Sequence, residues 1–337
     1  MGASLLGGSL YPGDRRRKLL PLLGAEIVYE SHFGLQKKPF AMTPDPSFLF
    51  QTTSHREALA ALLYGVLEEK GFIMITGDAG TGKTTLLSRM LRTIPSSKVA
   101  FSMVLNPTLS ADEFLESVLI DFGIEDIPAT KVRRLLKFQE FLMNARRSGR
   151  VCVLVADEAH QLSGEVLEEI RLLTNFETAD RKLLQIILAG QTELRSILNS
   201  DGLRQVKQRI AVRCELRPLS GDEVVQYMQF RWAKAGANNE PPFDEGAIQT
   251  IARASKGIPR VVNALCDNAL TLIYATGDPC VTASHALQVA HDLDLSDVDF
   301  NAGAFGPPLS DGAMAPLADV NRSQESRGLR VRLRLRR

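Results

Sequence analysis

The stretch GFIMITGDAGTGKTT, residues 71–85, decides the fold. An unbroken apolar run, IMIT, has the β-branched character of a parallel strand buried on both faces. It enters G-x-x-x-x-G-K-T and leaves into the helix-forming LLSRML. Gly77, Gly80 and Gly82 let the backbone curl so that successive N–H groups point inward, and the positive end of the following helix adds its partial charge. Such a loop cradles the phosphates of ATP or GTP with Mg²⁺. The backbone of Gly77, Asp78, Ala79, Gly80, Thr81, Gly82, Lys83, Thr84 and Thr85 forms the expected cradle. Lys83 is expected to hold the β- and γ-phosphates, and the Thr84 hydroxyl to give Mg²⁺ one ligand.

Outward from this loop, strand and helix signals alternate. Ser54 with Glu57 reads as a capping box, and Leu59, Leu62, Leu63, Val66 and Leu67 recur at helical spacing up to Lys70. VAFSMVLN (99–106) reads as a second strand, followed by a capping box, Ser110 with Glu113, and a helix carrying Phe114, Leu115, Val118, Leu119 and Phe122. After a helical segment over 130–148, the runs VCVLVADEAH (151–160), LLQIILAGQ (183–191) and AVRCEL (211–216) supply three more strands. This alternation predicts an α/β fold: a P-loop NTPase with a three-layer αβα core and a parallel five-stranded sheet. Past Pro218 the strand signals stop. Ser220 with Glu223 caps a helix bearing Val224, Tyr227, Met228 and Trp232, and further helices are expected from Asp244, from Pro259 and over Thr282 to Leu293. The expected organisation is therefore a disordered extension at 1–27, the nucleotide-binding core at 28–217, a small all-helical lid at 218–295, and a disordered tail at 296–337 with the basic tip RGLRVRLRLRR.

Composition narrows the class. The 337 residues are 45% hydrophobic and 23% charged, with a net charge of +1, so a nucleic-acid-binding face has to be local if it exists. Cys152, Cys214, Cys266 and Cys280 form no C-x-x-C pair and read as reduced core residues. No run of about 18 apolar residues is present, and the N-terminus lacks the basic-then-apolar order of a signal peptide. The expectation is a cytoplasmic chain with no transmembrane segment, any membrane association being made through a partner.

The third strand ends in Asp157-Glu158, which a parallel sheet places beside the phosphate loop. Asp157 reads as the Mg²⁺ partner through water and Glu158 as the base that polarises the attacking water. Three residues from other elements are placed to sense the γ-phosphate. Gln191 ends the fourth strand, Arg260 opens a helix of the small domain in GIPR, and Arg209, in VKQRI, is a candidate arginine finger toward a neighbouring subunit. Each also reads as an ordinary surface side chain, and Arg204, Lys207 and Arg213 compete with Arg209. The string DEAH at 157–160 occurs in some helicases, but a helicase needs a second domain of nucleotide-binding size, and only about 80 residues of helical sequence follow the core.

The order phosphate loop, Asp-Glu strand, AGQ, QRI and GIPR, with a helical lid, resembles the AAA+ ATPases. It resembles more closely the general secretion pathway protein A (ExeA-like) family, related to exopolysaccharide-associated and TniB-type transposition ATPases. The residues that carry this are YESHFGLQKKPFAMTPDPSFLF (29–50), SHREALAALLYGV (54–66), the phosphate loop, ADEAHQLSGEVLEEIRLLTNFET (156–178), LLQIILAGQTELRSIL (183–198), LRQVKQRIAVRCEL (203–216) and GIPRVVNALCDNAL (257–270). The resemblance implies an ATP hydrolase using ATP and Mg²⁺, with Gln191 as sensor 1, Arg260 as sensor 2 and Arg209 as a finger acting in trans within an ATP-dependent oligomer. It also places Asn106 where such ATPases carry a polar residue that turns the catalytic glutamate away until a partner binds, although Asn106-Pro107 equally fits a plain turn. The implied work is assembly or remodelling of a protein partner in a secretion or export system. The competing readings are an ATP-dependent DNA-binding adaptor of the transposition-helper type and a nucleotide-binding scaffold with little turnover. Members of the secretion family continue into a membrane span and a periplasmic region that this sequence does not carry. Relatives begin Met-Tyr-Glu where this sequence reads Val28-Tyr29-Glu30, so residues 1–27 are expected to be dispensable and left untranslated in the cell.

Overall fold

Five short apolar runs become strands, and the three in the middle of the sheet are buried on both faces. The computed structural model describes residues 29–43 and 45–295; the expected N-terminal extension and basic tail lie outside them. The strands are β1 (Phe72–Gly77), β2 (Val99–Val104), β3 (Val151–Ala156), β4 (Leu184–Gly190) and β5 (Val212–Leu216). All pair in parallel, in the order β2-β3-β4-β1-β5. Side chains alternate between the faces of a strand, and β3 shows what that does. Cys152, Leu154 and Ala156 join one core with helices α4 (Ala111–Asp121), α5 (Lys131–Arg147) and α6 (Gly164–Leu173). Val153 and Val155 join the other, with α2 (Thr53–Leu67) and α3 (Lys83–Thr93). Three layers follow. The short helices α7 (Glu193–Ile197) and α8 (Arg204–Arg209), which no periodic run announces, carry the chain from β4 back to β5.

The expected capping boxes at Ser110–Glu113 and Ser220–Glu223 both form. The one at Ser54–Glu57 is corrected: α2 begins at Thr53, and the Thr52 hydroxyl caps it by accepting from the His55 N–H. Thr52 lies nearer the end of the preceding extended segment, so its side chain reaches the free N–H groups of the first turn, whereas Ser54 is already helical. All four cysteines are free, and burial pushes the Cys152 and Cys214 thiols up to about 12.

After β5 the chain is helical: α9 (Gly221–Lys234), α10 (Glu245–Ser255), α11 (Pro259–Thr276) and α12 (Ala283–Asp292). On α9, Val224, Tyr227, Met228, Arg231 and Trp232 recur at helical spacing and are buried in a third apolar cluster. Tyr29, Leu35, Phe40 and Phe48 join that cluster rather than the sheet layers. The short helix α1 (Tyr29–His32) and the segment after it therefore lie against the C-terminal helices. Arg231 holds this segment by donating to the Pro39 carbonyl, and at 3.4 Å to that of Ala41. The Tyr29 hydroxyl donates to Asp267 of α11, and the backbone N–H of Gln36 to Ala235 at 2.8 Å.

Candidate functional site

Parallel pairing puts the C-terminal ends of the strands on one edge. Gly77 is in register with Leu216, Thr76 with Gly190, and Ala156 with Leu188. The loop after β1 therefore opens between the ends of β4 and β5, with Asp157 one strand further along. Gly80 and Gly82 take φ of 81° and 97°, left-handed values that let the loop fold back before α3. Among the described residues, the N–H groups of Ala79, Gly80 and Gly82 donate to no backbone carbonyl. They are thus available to an anion, and they stand at the positive end of α3.

Lys83 is 5% exposed, and its ammonium donates to the carbonyls of Gly77 at 2.8 Å and Asp78 at 3.0 Å. Burial pulls its pKa below the ordinary lysine value, against the opposing attraction of Glu158 and Asp157. The Thr84 hydroxyl donates to Asp157 Oδ2 at 2.6 Å, and the Glu158 N–H donates to Asp157 Oδ1 at 2.9 Å. Both carboxylate oxygens are thereby oriented. Glu158 itself is held at φ 51°, an uncommon conformation for a side chain with a Cβ. Its Oε2 is 3.5 Å from His160 Nδ1, and the same ring nitrogen is 3.4 Å from the Gln191 N–H, so one imidazole spans the ends of β3 and β4.

Helix α11 closes the other side. The Arg260 N–H donates to the Gly80 carbonyl at 3.3 Å, and a Cβ on Gly80 would lie 2.7 Å from Arg260 Cβ. Between loop and helix lies a cavity of about 270 Å³, lined by Gly80 to Thr85, Glu158, Arg260 and a wall the sequence reading did not identify. That wall is Ala41 to Thr43, Phe48 to Phe50, His55, Tyr227, Arg231 and Asn263. Arg231, a donor only, gives a hydrogen bond to the Tyr227 hydroxyl at 3.1 Å, and that hydroxyl donates to Asn263 Oδ1 at 2.8 Å. A larger cavity, about 370 Å³ and lined by Arg195, Lys207 and Arg213 among others, contains no residue of the loop.

Two expected residues stand apart. Arg209 is exposed and donates to Thr174 Oγ1 at 3.2 Å, where α6 ends; the Thr174 carbonyl accepts from Lys182, just before β4, so this is the sheet edge opposite the loop. Asn106 Oδ1 accepts from the N–H and the hydroxyl of Thr108 at 3.1 and 2.8 Å, within a local turn.

A family model described as an AAA domain matches residues 66–198. The chain is 39% identical over 292 residues to general secretion pathway protein A of Aeromonas hydrophila, an alignment covering 86% of this chain and 52% of that protein. It is 27% identical over 268 residues to the ATP-dependent target DNA activator B of Escherichia phage Mu, covering 77% and 78%. The chain spans about half the length of the first curated relatives it matches. Among solved structures, the Aeropyrum pernix ORC2 protein in its ADPNP–ADP complexes superposes with a TM-score of 0.57 at 16% identity, covering 76% of this chain and 72% of that one, a likeness of fold.

Proposed function

This chain belongs to the AAA+ ATPases, and on that premise we propose that it binds ATP with Mg²⁺ between the phosphate loop and α11, hydrolyses it, and uses the cycle to assemble or remodel a macromolecular partner. The observation that carries this reading is that Lys83, Glu158, Arg260 and Thr84, with its Asp157 partner, meet at one cavity on the strand C-terminal edge.

Lys83 exchanges two neutral carbonyls for charged phosphate oxygens, a stronger class of acceptor. The donor set fits Mg²⁺, since a hydroxyl and a carboxylate already lie within one hydrogen bond of each other. Thr84, and Asp157 through water, would hold the ion, whose charge would offset that of the phosphates. Glu158 accepts a proton from water as the water oxygen bonds to the γ-phosphorus and the bond to the bridging oxygen breaks toward ADP. Gln191, whose backbone N–H donates to His160 Nδ1 at 3.4 Å, orients that water. Arg260 senses the γ-phosphate, and residues 218–295 act as the lid that carries it. Arg209, remote from its own subunit's loop, serves a neighbour's site in an oligomer.

The partner we favour is a protein of a secretion or export assembly, which the identity to general secretion pathway protein A supports. A DNA partner is the second reading, supported by the phage Mu activator, most of whose length this chain covers. No described helix is long and apolar enough to cross a membrane, so a membrane partner would be met from outside those helices. Nucleotide affinity and turnover test the chemistry together: Lys83→Ala should lose nucleotide binding, and Glu158→Gln should bind ATP without hydrolysing it. Equal loss of binding in both removes the assigned roles. Turnover stimulated by duplex DNA, with a steep salt dependence of binding, selects the second reading.

A further inference from the structure

A buried histidine touches the phosphate loop at a backbone carbonyl. His55, in the first turn of α2, is 3% exposed. Its Nε2 lies 3.2 Å from the Thr81 carbonyl oxygen and its Nδ1 2.8 Å from Thr52 Oγ1. A carbonyl only accepts, so Nε2 carries the proton in this contact. Burial holds the ring below the usual histidine pKa, which keeps it neutral and leaves Nδ1 as the acceptor of the Thr52 hydroxyl proton. Thr52 Oγ1 in turn accepts from the His55 N–H at 3.3 Å. The Thr52 hydroxyl thus donates to the ring and accepts from the backbone, and the tautomer follows from these partners.

The Thr81 carbonyl belongs to the peptide that joins Thr81 to Gly82. No peptide bond among the described residues is cis, and a trans peptide sends its C=O and N–H in opposite directions. Fixing the Thr81 oxygen on the imidazole therefore turns the Gly82 N–H away from α2. That N–H is one of those with no backbone acceptor, and the next residue is Lys83. The ring also packs over Gly82, where a Cβ would lie 3.5 Å from Nε2.

We propose that His55 is a positioning residue for nucleotide binding: its ring N–H holds the Thr81 carbonyl so that the loop presents its N–H groups to the phosphates before the nucleotide arrives. This rests on the reading that residues 77–85 bind those phosphates. Preorganisation of this kind acts on substrate and transition state alike, so its loss raises KM and leaves kcat nearly unchanged. A histidine that only packs the start of α2 would instead cost stability and leave the affinity of the folded protein as it was.

The test uses the full chain with ATP and ADP. His55→Phe fills the space without a donor and should weaken both nucleotides about tenfold, raise KM by a similar factor and hold kcat within about twofold. His55→Gln, whose amide nitrogen reaches about as far as Nε2, should recover most of the affinity. His55→Leu gives the same reading as the phenylalanine should the larger ring not fit. A folded His55→Phe or His55→Leu with the parent's affinities overturns the proposal, as does a His55→Gln no better than either. Lys83→Ala is measured beside them. Loss there with parent-like binding in the His55 variants overturns the positioning role alone, whereas parent-like binding in Lys83→Ala overturns the phosphate reading beneath it.

Discussion

Lys83 donates to two carbonyls of the loop it serves, so the loop is closed on itself through that ammonium. Residue types at fixed spacing made this legible: G-x-x-x-x-G-K-T and the Asp-Glu strand end each name their members within a few positions, and the fold brings the two together at the Thr84 hydroxyl. His55, Tyr227, Arg231 and Asn263 were not legible, because each acts through a partner distant in sequence. Arg231 reaches the Pro39 carbonyl across 192 residues, a partner that its own helix does not reveal. Asn106, which the sequence reads as either a switch or a turn, has its Oδ1 engaged by Thr108 within a local turn. Arg260 belongs to this scale as well. A guanidinium acting on the γ-phosphate contributes when that phosphate is present, so Arg260→Ala should weaken ATP by roughly tenfold or more and bring its affinity toward that of ADP. Equilibrium titration with both nucleotides decides it; an unchanged preference for ATP makes Arg260 a surface residue.

At the level of elements, strands and long helices were readable from periodicity, and α7 and α8 were not, being too short to show a repeat. The contact between the phosphate loop and the first turn of α11 rests on the absence of a side chain at Gly80. An alanine there would bring its Cβ to 2.7 Å from Arg260 Cβ and 3.1 Å from Ile258 Cγ2, at a φ of 81° that also disfavours a Cβ. Gly80→Ala should therefore push α11 off the loop, break the Arg260 N–H bond to the Gly80 carbonyl and weaken ATP. Gly149→Ala is the control, since Gly149 has a similar φ of 72° but nothing within 4 Å of its Cβ. It should cost about 1 kcal/mol of stability from backbone strain and leave nucleotide affinity alone. Thermal unfolding beside ATP titration separates the two; equal affinities in both variants would show that the loop and α11 do not need each other.

The whole molecule sets Arg209 and the phosphate loop on opposite edges of one sheet, so a single copy does not bring them together. In an oligomer with shared sites, Arg209→Ala and Lys83→Ala should each be inactive alone. Mixed, they should regain part of the activity at interfaces where an intact loop meets an intact arginine. Turnover measured across mixing ratios checks this, and mixed oligomers without recovered activity would remove Arg209 from the neighbour's site. Because residues 29–48 pack with the C-terminal helices, the chain passes between that cluster and the sheet layers twice, once between Phe48 and Thr52 and again between Leu216 and Leu219. The wall at 41–43 and 48–50 and the Arg260 helix are thereby carried by one packed cluster. A nucleotide bound there, as proposed, would meet that cluster on one side and the phosphate loop on the other.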